Sequence, residues 1–298
     1  MCCTIDNYIN KAWSFILDNF RMFCIEFAKC LGVLSAIVTI LSVWPDENKW
    51  SCYLHIAPFV CLGIALIWAV CKIVPREHIS ITFHKNDVRT IEVRKGDIWS
   101  IDEGIVIIPV NNFFDTQVDD IIIAKRSLHG QFIEQYRKRY PKKNLDNEIN
   151  ASIKRDGISF SGTYQNRNNL HDHNHEHCYP LGTVVRLIEG KIQYYLVVAT
   201  EFDKNNHVIS EPEKFSMMLL TMIKKINEWN SGVRVYLPII GAGQTGLPLT
   251  KQEILTEILS CFNLAKKYVA FGGTTILVYK GDMKEISLNK IDYQFRKI

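Results

Sequence analysis

The stretch that decides the fold is 233–250, with the sequence VRVYLPIIGAGQTGLPLT. Its first half is rich in β-branched and apolar residues, which predicts a buried strand that ends in a glycine-rich turn. A helix start follows at once, because Thr250 and Glu253 form a capping-box pattern and apolar residues then recur at helical spacing. Strand, glycine turn and helix in this order direct backbone N–H groups and the positive end of a helix dipole at one place. The stretch therefore predicts a binding site for a nucleotide-like anion.

The glycines of this turn also fit two familiar nucleotide loops, because Gly241, Gly243 and Gly246 spell G-x-G-x-x-G. A Walker A loop needs Lys and Ser or Thr after its last glycine, whereas Leu247 and Pro248 follow here. A Rossmann fingerprint needs an acidic residue about 20 positions on, where this chain has two lysines and a tyrosine. Both readings are disfavoured, and a glycine-rich loop without a ligand stays open as the plain alternative.

Composition excludes some classes of partner. The chain has 298 residues, enough for one or two domains, and a net charge of +4. We find no basic run with interleaved aromatic residues, so we expect no nucleic-acid partner. Seven of the nine cysteines lie in the first 71 residues, without the spacing of a metal site or a disulfide framework.

Two apolar spans, 27–44 and 52–71, stand near the start of the chain. Each is close to the length that crosses a bilayer of about 30 Å as a helix, so we predict two transmembrane helices. A buried helical hairpin in a soluble core is the alternative. Lysines and arginines flank the pair, whereas the loop between the spans is net acidic. The positive-inside rule therefore predicts a two-pass protein of the inner membrane with both termini in the cytoplasm.

The remaining organisation follows from these spans. We predict an amphipathic helix in 1–26, the membrane hairpin in 27–75 and a cytoplasmic domain in 76–298. Small residues recur every four positions in both spans, which suits close helix packing within the hairpin or between protomers of a homo-oligomer. They are Gly32 and Ala36 in the first span and Ala57, Cys61, Ala65 and Ala69 in the second.

The cytoplasmic part has the pattern of a layered α/β domain with helices on both faces of a sheet. The strands are predicted at 78–83, 88–94, 104–110, 183–189, 193–200, 233–240 and 274–280. The helices are predicted at 120–139, 211–229 and 251–268, the second with a capping box at Ser210 and Glu213. The long polar segment 141–181 is predicted to be irregular.

Four short motifs in this domain occur in the order found in macro domains, the ADP-ribose-binding modules. They are Lys95-Gly96-Asp97-Ile98, Pro109-Val110-Asn111, Tyr179-Pro180-Leu181-Gly182 and the glycine stretch 238–247. The domain thus resembles a macro domain over about 80–282. The resemblance implies a three-layer α/β/α fold with a mixed sheet, and an ADP-ribose derivative as ligand rather than a resident cofactor.

The resemblance also implies roles for single residues. Asp97 would accept a hydrogen bond from the adenine amine while Ile98 packs on the base, and Asn111 would bind ribose hydroxyls. The plain alternatives are a turn cap for Asp97 and an Asx turn for Asn111. The diphosphate would lie on the glycine loop, and Tyr279 would stack near the adenine or belong to the core. The loop residues are Gly241, Ala242, Gly243, Gln244, Thr245, Gly246 and Leu247.

The loop after Asn111 departs from the family pattern. Macro domains that remove ADP-ribose carry glycines there, whereas this chain reads NFFDTQVD over 112–119. We interpret the change as a pocket for an extra group on the terminal ribose, because aromatic rings can stack on it and carboxylates can hold a cationic part. Either carboxylate could also act as a general base. The candidate residues are Phe113, Phe114, Asp115, Val118 and Asp119.

The run 171–178, HDHNHEHC, places histidines at alternate positions. On a strand they would share one face and could bind zinc with Cys178. The asparagine-rich surroundings are typical of a solvated loop, so we expect no physiological metal.

Two membrane spans followed by a macro domain resemble the membrane-anchored macro effectors of Thoeris anti-phage systems. The resemblance implies that a partner TIR-domain enzyme makes an ADP-ribose-derived signal, plausibly a histidine adduct, which the macro domain senses before the membrane lipid is disrupted. A membrane-anchored ADP-ribosyl hydrolase is the alternative function, and a protein-binding scaffold is a third.

Overall fold

The computed structural model describes residues 20–42, 51–83, 89–164, 176–203, 205–209, 211–243 and 247–295. The chain divides into two compact units, Met1–Arg76 and Glu77–Ile298. The expected N-terminal amphipathic helix and the loop between the two spans fall largely outside the described residues.

The first unit contains two helices, α1 (Phe20–Ser42) and α2 (Ser51–Ile73), which pack against each other. Among the described residues only Phe23–Ile40 of α1 is long and apolar enough to cross a membrane, with a mean hydropathy of 1.9. The apolar part of α2, Ile56–Cys71, is shorter. By length and composition the unit therefore holds one candidate membrane span and one apolar helix beside it.

The small residues of these helices differ in burial. Cys61, Ala65 and Ala69 of α2 are buried, whereas Gly32 and Ala36 of α1 are exposed. These three residues thus lie inside the hairpin, because a spacing of four keeps them on one face of the helix, whereas Ala57 at the start of the stripe is half-buried. The stripe of α1 faces outward.

The second unit is built on a mixed sheet with the order β1-β2-β10-β9-β3-β7-β6, in which β8 pairs with β7. Neighbours from β2 to β7 in this order run parallel, and the β1–β2, β6–β7 and β7–β8 pairs are antiparallel. The two short strands β4 and β5 pair separately. The strands are β1 (His78–Ile81), β2 (Ile91–Lys95), β3 (Gly104–Asn111), β4 (Gly162–Thr163), β5 (His177–Cys178), β6 (Val184–Glu189), β7 (Ile192–Phe202), β8 (Val208–Ile209), β9 (Val235–Pro238) and β10 (Thr274–Val278).

Helices cover both faces of this sheet, as the sequence predicts. Successive side chains of a strand point to opposite faces. In β3, Ile105 and Ile107 join the core under α5, α6 and α7, while Val106 and Ile108 join the core under α3 and α4. The helices are α3 (Leu128–Arg139), α4 (Leu145–Arg155), α5 (Pro212–Trp229), α6 (Lys251–Leu264) and α7 (Leu288–Phe295). The result is the expected three-layer α/β/α arrangement.

Some predicted bounds are wrong. Helix α3 begins at Leu128 rather than at 120, because Asp119 and Asp120 accept backbone N–H groups in the preceding turn and Ser127 caps the helix. The segment 141–181 is not wholly irregular, since it contains α4, capped by Asn144. The capping box at Thr250 and Glu253 is confirmed. Ser210 lies outside the described residues.

Candidate functional site

The candidate site lies at one edge of the sheet. Because β2, β10, β9 and β3 run parallel, their carboxyl ends meet there, which is where open α/β sheets bind ligands. Asp97 follows β2, Asn111 ends β3, Gly241 follows β9 and Tyr279 follows β10. Four of the residues singled out in the sequence therefore lie along the same edge, although 182 positions separate the first from the last.

A cavity of about 740 Å³ opens where β2 and β10 end. Asp97 and Tyr279 both line it, and both side chains are exposed. The remaining lining residues are Glu77, His78, Arg94, Lys95, Gly96 and Lys280. Its volume is in the range of small-molecule sites. Asp97 and Tyr279 are thus brought together as the sequence predicts.

Asp97 has the turn-cap role that the sequence left open, and its adenine role stays a prediction. Its Oδ1 accepts the backbone N–H of Trp99 at 3.0 Å, so the residue caps the short 3₁₀ turn Ile98–Ser100. The second oxygen has no hydrogen-bond partner among the described residues and remains able to accept from a ligand. Ile98 is buried in the core directly beneath this turn. A Cβ at Gly96 would lie 2.8 Å from Leu277 Cδ2, so a larger residue there would require the Leu277 side chain to shift.

The glycine loop is a tight turn supported from below. Gly241 has φ +91°, and a Cβ there would lie 3.0 Å from the Phe215 ring and 3.1 Å from Leu247 Cδ1. Leu247 thus packs under the turn. Gly243 is exposed, and a Cβ there would meet nothing within 4 Å.

The donors available at this loop are few among the described residues. Ala242 donates its N–H to Ile239 O, and the capping box uses the N–H of Thr250 and of Glu253 at the start of α6. Gly243 has no such partner. Gln244, Thr245 and Gly246 lie outside the described residues.

Asn111 holds the loop that follows it. Its Nδ2 donates to Asp115 Oδ2 at 2.7 Å, and its Oδ1 accepts the N–H groups of Phe113 and Asp115 at 3.3 and 3.1 Å. The residue sits where the register of β3 against β7 shifts, which turns its side chain toward the loop. Asn111 and Asp115 are both buried. The Asx-turn role that the sequence left open is therefore present, and the ribose role stays a prediction.

The two phenylalanines of this loop are buried rather than open to a ligand. Phe113 and Phe114 are each 1% exposed. Their rings pack edge-on against Tyr164 and Tyr179, at 5.9 and 5.2 Å between centroids. Phe114 also has φ 54°, an uncommon conformation for a residue with a side chain. Stacking of either ring on a ligand would require the loop to move.

The end of the same loop is held by Asp119. Its Oδ1 accepts the N–H groups of Ile121 and Ile122 at 2.9 and 2.8 Å, so this carboxylate caps a turn. Val118 packs against the core under α3 and α4. Neither side chain faces the cavity beside Asp97.

The histidine run lies mostly outside the described residues, which include only His177 of its four histidines. That ring stacks on Phe160 at 4.2 Å between centroids and contacts Thr163 Oγ1 at 3.0 Å. Within the part of the chain that the structure describes, no group of three metal-ligating side chains is found.

The sequence reasoning missed the basic residues around the cavity. Arg94 and Lys280 adjoin the two motifs, since Arg94 precedes Lys95-Gly96-Asp97 and Lys280 follows Tyr279. It also missed Lys251, whose Nζ pairs with Asp282 and Glu285 at 2.7 Å each. These bonds tie the start of α6 to the segment after Tyr279, and they raise the pKa of Lys251, with Asp282 the larger cause. The sequence could have indicated these residues, because each is a basic residue directly beside a predicted motif.

Comparison with known proteins agrees with this architecture. A family model described as "Thoeris protein ThsA, Macro domain" matches residues 91–279, more than half of the chain. The matched segment contains the parallel strands and every candidate ligand residue from Asp97 to Tyr279. The class of protein is therefore a macro-domain protein with an ADP-ribose-type binding fold. The chain belongs to the Thoeris ThsA macro family.

Individual relatives are more distant. The Thoeris protein ThsA of Bacillus amyloliquefaciens (strain Y2) is 27% identical over 240 residues, covering 78% of this chain and 76% of the relative. Among solved structures, the Oceanobacillus iheyensis macrodomain with ADP is 15% identical, with a TM-score of 0.43 over 74% of this chain and 98% of that one. The macrodomain of Mycobacterium tuberculosis DarG is 15% identical, with a TM-score of 0.39 over 64% of this chain and 97% of that one.

Proposed function

We propose that this protein is the membrane-anchored effector of a Thoeris anti-phage system. Its macro domain binds an ADP-ribose-derived signal made by a partner TIR-domain enzyme, with a histidine adduct of ADP-ribose as the candidate. Binding drives oligomerisation in the bacterial inner membrane and disruption of the lipid bilayer.

The observation that carries the binding step is the cavity at the carboxyl ends of the parallel strands. It presents a carboxylate oxygen of Asp97 and the exposed ring of Tyr279 side by side. A carboxylate accepts from an exocyclic amine, and an aromatic ring stacks on a base, so the pair suits adenine. The glycine turn after β9 lies along the same edge and can approach a diphosphate through its backbone. These features favour a ligand of the ADP-ribose class.

The carboxylates of the loop after Asn111 favour binding of the ligand without its hydrolysis. A general base must reach the proton that it removes. Asp115 is 2% exposed and hydrogen-bonded to Asn111, while Asp119 caps a turn through two backbone N–H groups. Both carboxylates therefore have structural partners, which supports a sensor over the alternative hydrolase. Release of free ADP-ribose from a modified protein, lost in Asn111→Ala, would favour the hydrolase instead.

The membrane step is supported by the apolar helices of the first unit. We propose that α1 and α2 both cross the bilayer, with the macro domain in the cytoplasm. Since Cys61, Ala65 and Ala69 lie inside the hairpin, the exposed Gly32 and Ala36 of α1 are the small residues available to another protomer. Ligand-driven clustering would raise the local concentration of these helices.

The binding step is tested by calorimetry on the full chain in detergent micelles, titrated with ADP-ribose and with its histidine adduct. Gly243→Glu should weaken binding about tenfold or more, because its charge repels a diphosphate (about 1.4 kcal/mol). Gly243→Ala is the matched control, since a Cβ there meets no atom within 4 Å. No heat with either ligand for the unaltered chain would refute the proposal, and equal affinities in both variants would remove the diphosphate from this loop.

The membrane step is tested by dye release from vesicles that contain the full chain. The ligand should cause release and crosslinked oligomers, and Gly32→Leu with Ala36→Leu should reduce both while leaving calorimetric binding intact. Identical crosslinking with and without ligand would refute the coupling.

A further inference from the structure

The cavity beside Asp97 and Tyr279 has a net positive charge, because its lining carries three cations, Arg94, Lys95 and Lys280, against the two carboxylates of Glu77 and Asp97. Lys95 Nζ lies 2.5 Å from Glu77 Oε1, so these two residues pair with each other. Arg94 and Lys280 also line the cavity, and the side chain of neither forms a hydrogen bond or an ion pair with any residue that the structure describes. The cavity is therefore polarised toward an anion.

These two cations lie next to the residues assigned to adenine. A Cβ built on Gly96 would lie 3.7 Å from Arg94 Nη1, so the guanidinium lies over the backbone that leads into Asp97. Lys280 directly follows Tyr279. Arg94 is also only partly exposed, and a partly desolvated cation is stabilised by an anion that binds to it.

We infer that this cavity binds a phosphate group attached to the adenosine end of the ligand. The inference rests on the proposed function, because it extends the same site beyond the adenine. A cavity of about 740 Å³ has room for a substituent as well as a base. The planar fork of arginine matches phosphate geometry, and an arginine beside a ribose is a known means of accommodating a 2′-phosphate in dinucleotide sites. The preferred ligand class is an ADP-ribose derivative phosphorylated on the adenosine ribose.

The test compares two titrations of the full chain in detergent, one with ADP-ribose and one with its adenosine 2′-phosphate. The phosphorylated form should bind about tenfold more tightly, the effect of one partly screened charge-assisted contact. The ratio of the two affinities should fall as salt is added. Arg94→Met and Lys280→Met should each bring the ratio toward one. Lys154→Met is the charge-matched control, because Lys154 is exposed in the last turn of α4 and away from the cavity, and it should keep the ratio.

Each failure has a distinct meaning. A ratio of one in the unaltered chain, or an unchanged ratio in both cavity variants, overturns this inference alone. The unaltered chain could instead bind inorganic phosphate, lose that binding in both cavity variants and bind the two nucleotides equally. That result would assign the cavity to free phosphate and overturn the inference that the phosphate is attached to the adenosine. No binding of either nucleotide by the unaltered chain would overturn the proposed function together with this inference.

Discussion

The two ends of the parallel strands use polar side chains in opposite ways. At the amino ends, where β3 and β7 begin, the Glu189 carboxylate is 6% exposed and accepts from Tyr136 Oη at 2.6 Å and from Lys143 Nζ at 2.8 Å. At the carboxyl ends, Asp97 keeps an oxygen without a partner among the described residues, and Arg94 and Lys280 pair with none of them. A polar group with all its bonds made contributes stability, whereas one left open near a cavity is available to a ligand. The comparison predicts that substitutions at the two ends separate stability from binding.

The largest expected effect is at the amino ends. Glu189→Leu should lower the free energy of unfolding of the second unit by about 3 kcal/mol, because it leaves the buried Tyr136 hydroxyl without its acceptor and removes the nearer of the two carboxylates that pair with Lys143. The affinity for ADP-ribose should stay unchanged. Thermal unfolding followed by near-UV circular dichroism measures the first, and calorimetry the second.

Glu134→Leu is the control for that substitution. Glu134 is 46% exposed and pairs with Lys125 at 3.4 Å, so its loss should cost less than about 0.5 kcal/mol. Equal losses of stability in the two variants would show that the bonds of Glu189 at the amino ends stabilise the fold no more than an exposed ion pair does.

Asn111→Ala tests a residue that both stabilises its loop and is a candidate for ligand binding. The substitution should lower the free energy of unfolding by about 2 kcal/mol, because two backbone N–H groups and the buried Asp115 lose their partner. It should also weaken ligand binding. Asn112→Ala is the matched control: its amide exchanges two hydrogen bonds with the Phe202 backbone, so stability should fall similarly while affinity is retained. If both variants kept their affinity, Asn111 would be structural only.

Asp97→Ser should affect binding almost alone. Serine caps a turn about as well as aspartate, so stability should change by less than about 0.5 kcal/mol. If Asp97 accepts from the adenine amine as proposed, the shorter serine side chain loses that bond, and affinity for ADP-ribose should fall about tenfold, or 1.4 kcal/mol. Calorimetry and a melting curve on the same sample measure both. A loss of stability without a loss of affinity would show that Asp97 stabilises the fold and does not bind the ligand.

The smallest effect is the response of the amino ends to alkaline pH. Burial and the hydrogen bond to Glu189 raise the pKa of Tyr136, and the bond to Glu189 raises the pKa of Lys143. Groups whose pKa is higher in the folded state contribute stability that is full below their unfolded pKa, about 10, and is lost as the pH rises above it. The melting temperature should therefore fall as the pH rises above about 10, and less steeply in Tyr136→Phe. Parallel curves for the two proteins would contradict this.

The layered fold could be predicted from the sequence because its signals are local. Strand alternation, the helical stripe of α5 and the capping box at Thr250 each act within a few residues, and each appears in the structure. Helix α4 was missed because only Leu145, Ile149 and Ile153 mark its apolar face in a polar segment, although they recur every four residues after the Asn144 cap.

The candidate site was predictable only in part, because its chemistry depends on neighbours distant in the chain. Motifs placed Asp97, Asn111 and Tyr279 at strand ends, which strand topology then brought to one edge. Whether a polar side chain is open to a ligand or already bonded, as with the Asn111 amide and the Asp115 carboxylate, depends on the path of a loop that residue types alone do not determine. The burial of Phe113 and Phe114 against Tyr164 and Tyr179 has the same origin.

The position of β10 has a consequence for the timing of synthesis. This strand lies between β2 and β9 in the sheet, yet among the described residues it is the last strand in chain order, at Thr274–Val278. A chain still on the ribosome has β2 and β9 without the neighbour that joins them, and Tyr279 has not yet reached the edge that carries Asp97. Because chains are made from the N-terminus and such long-range pairings form late, the candidate site cannot assemble before β10 and Tyr279 have been synthesised. A nascent chain whose first helices have already emerged therefore still lacks the complete candidate site.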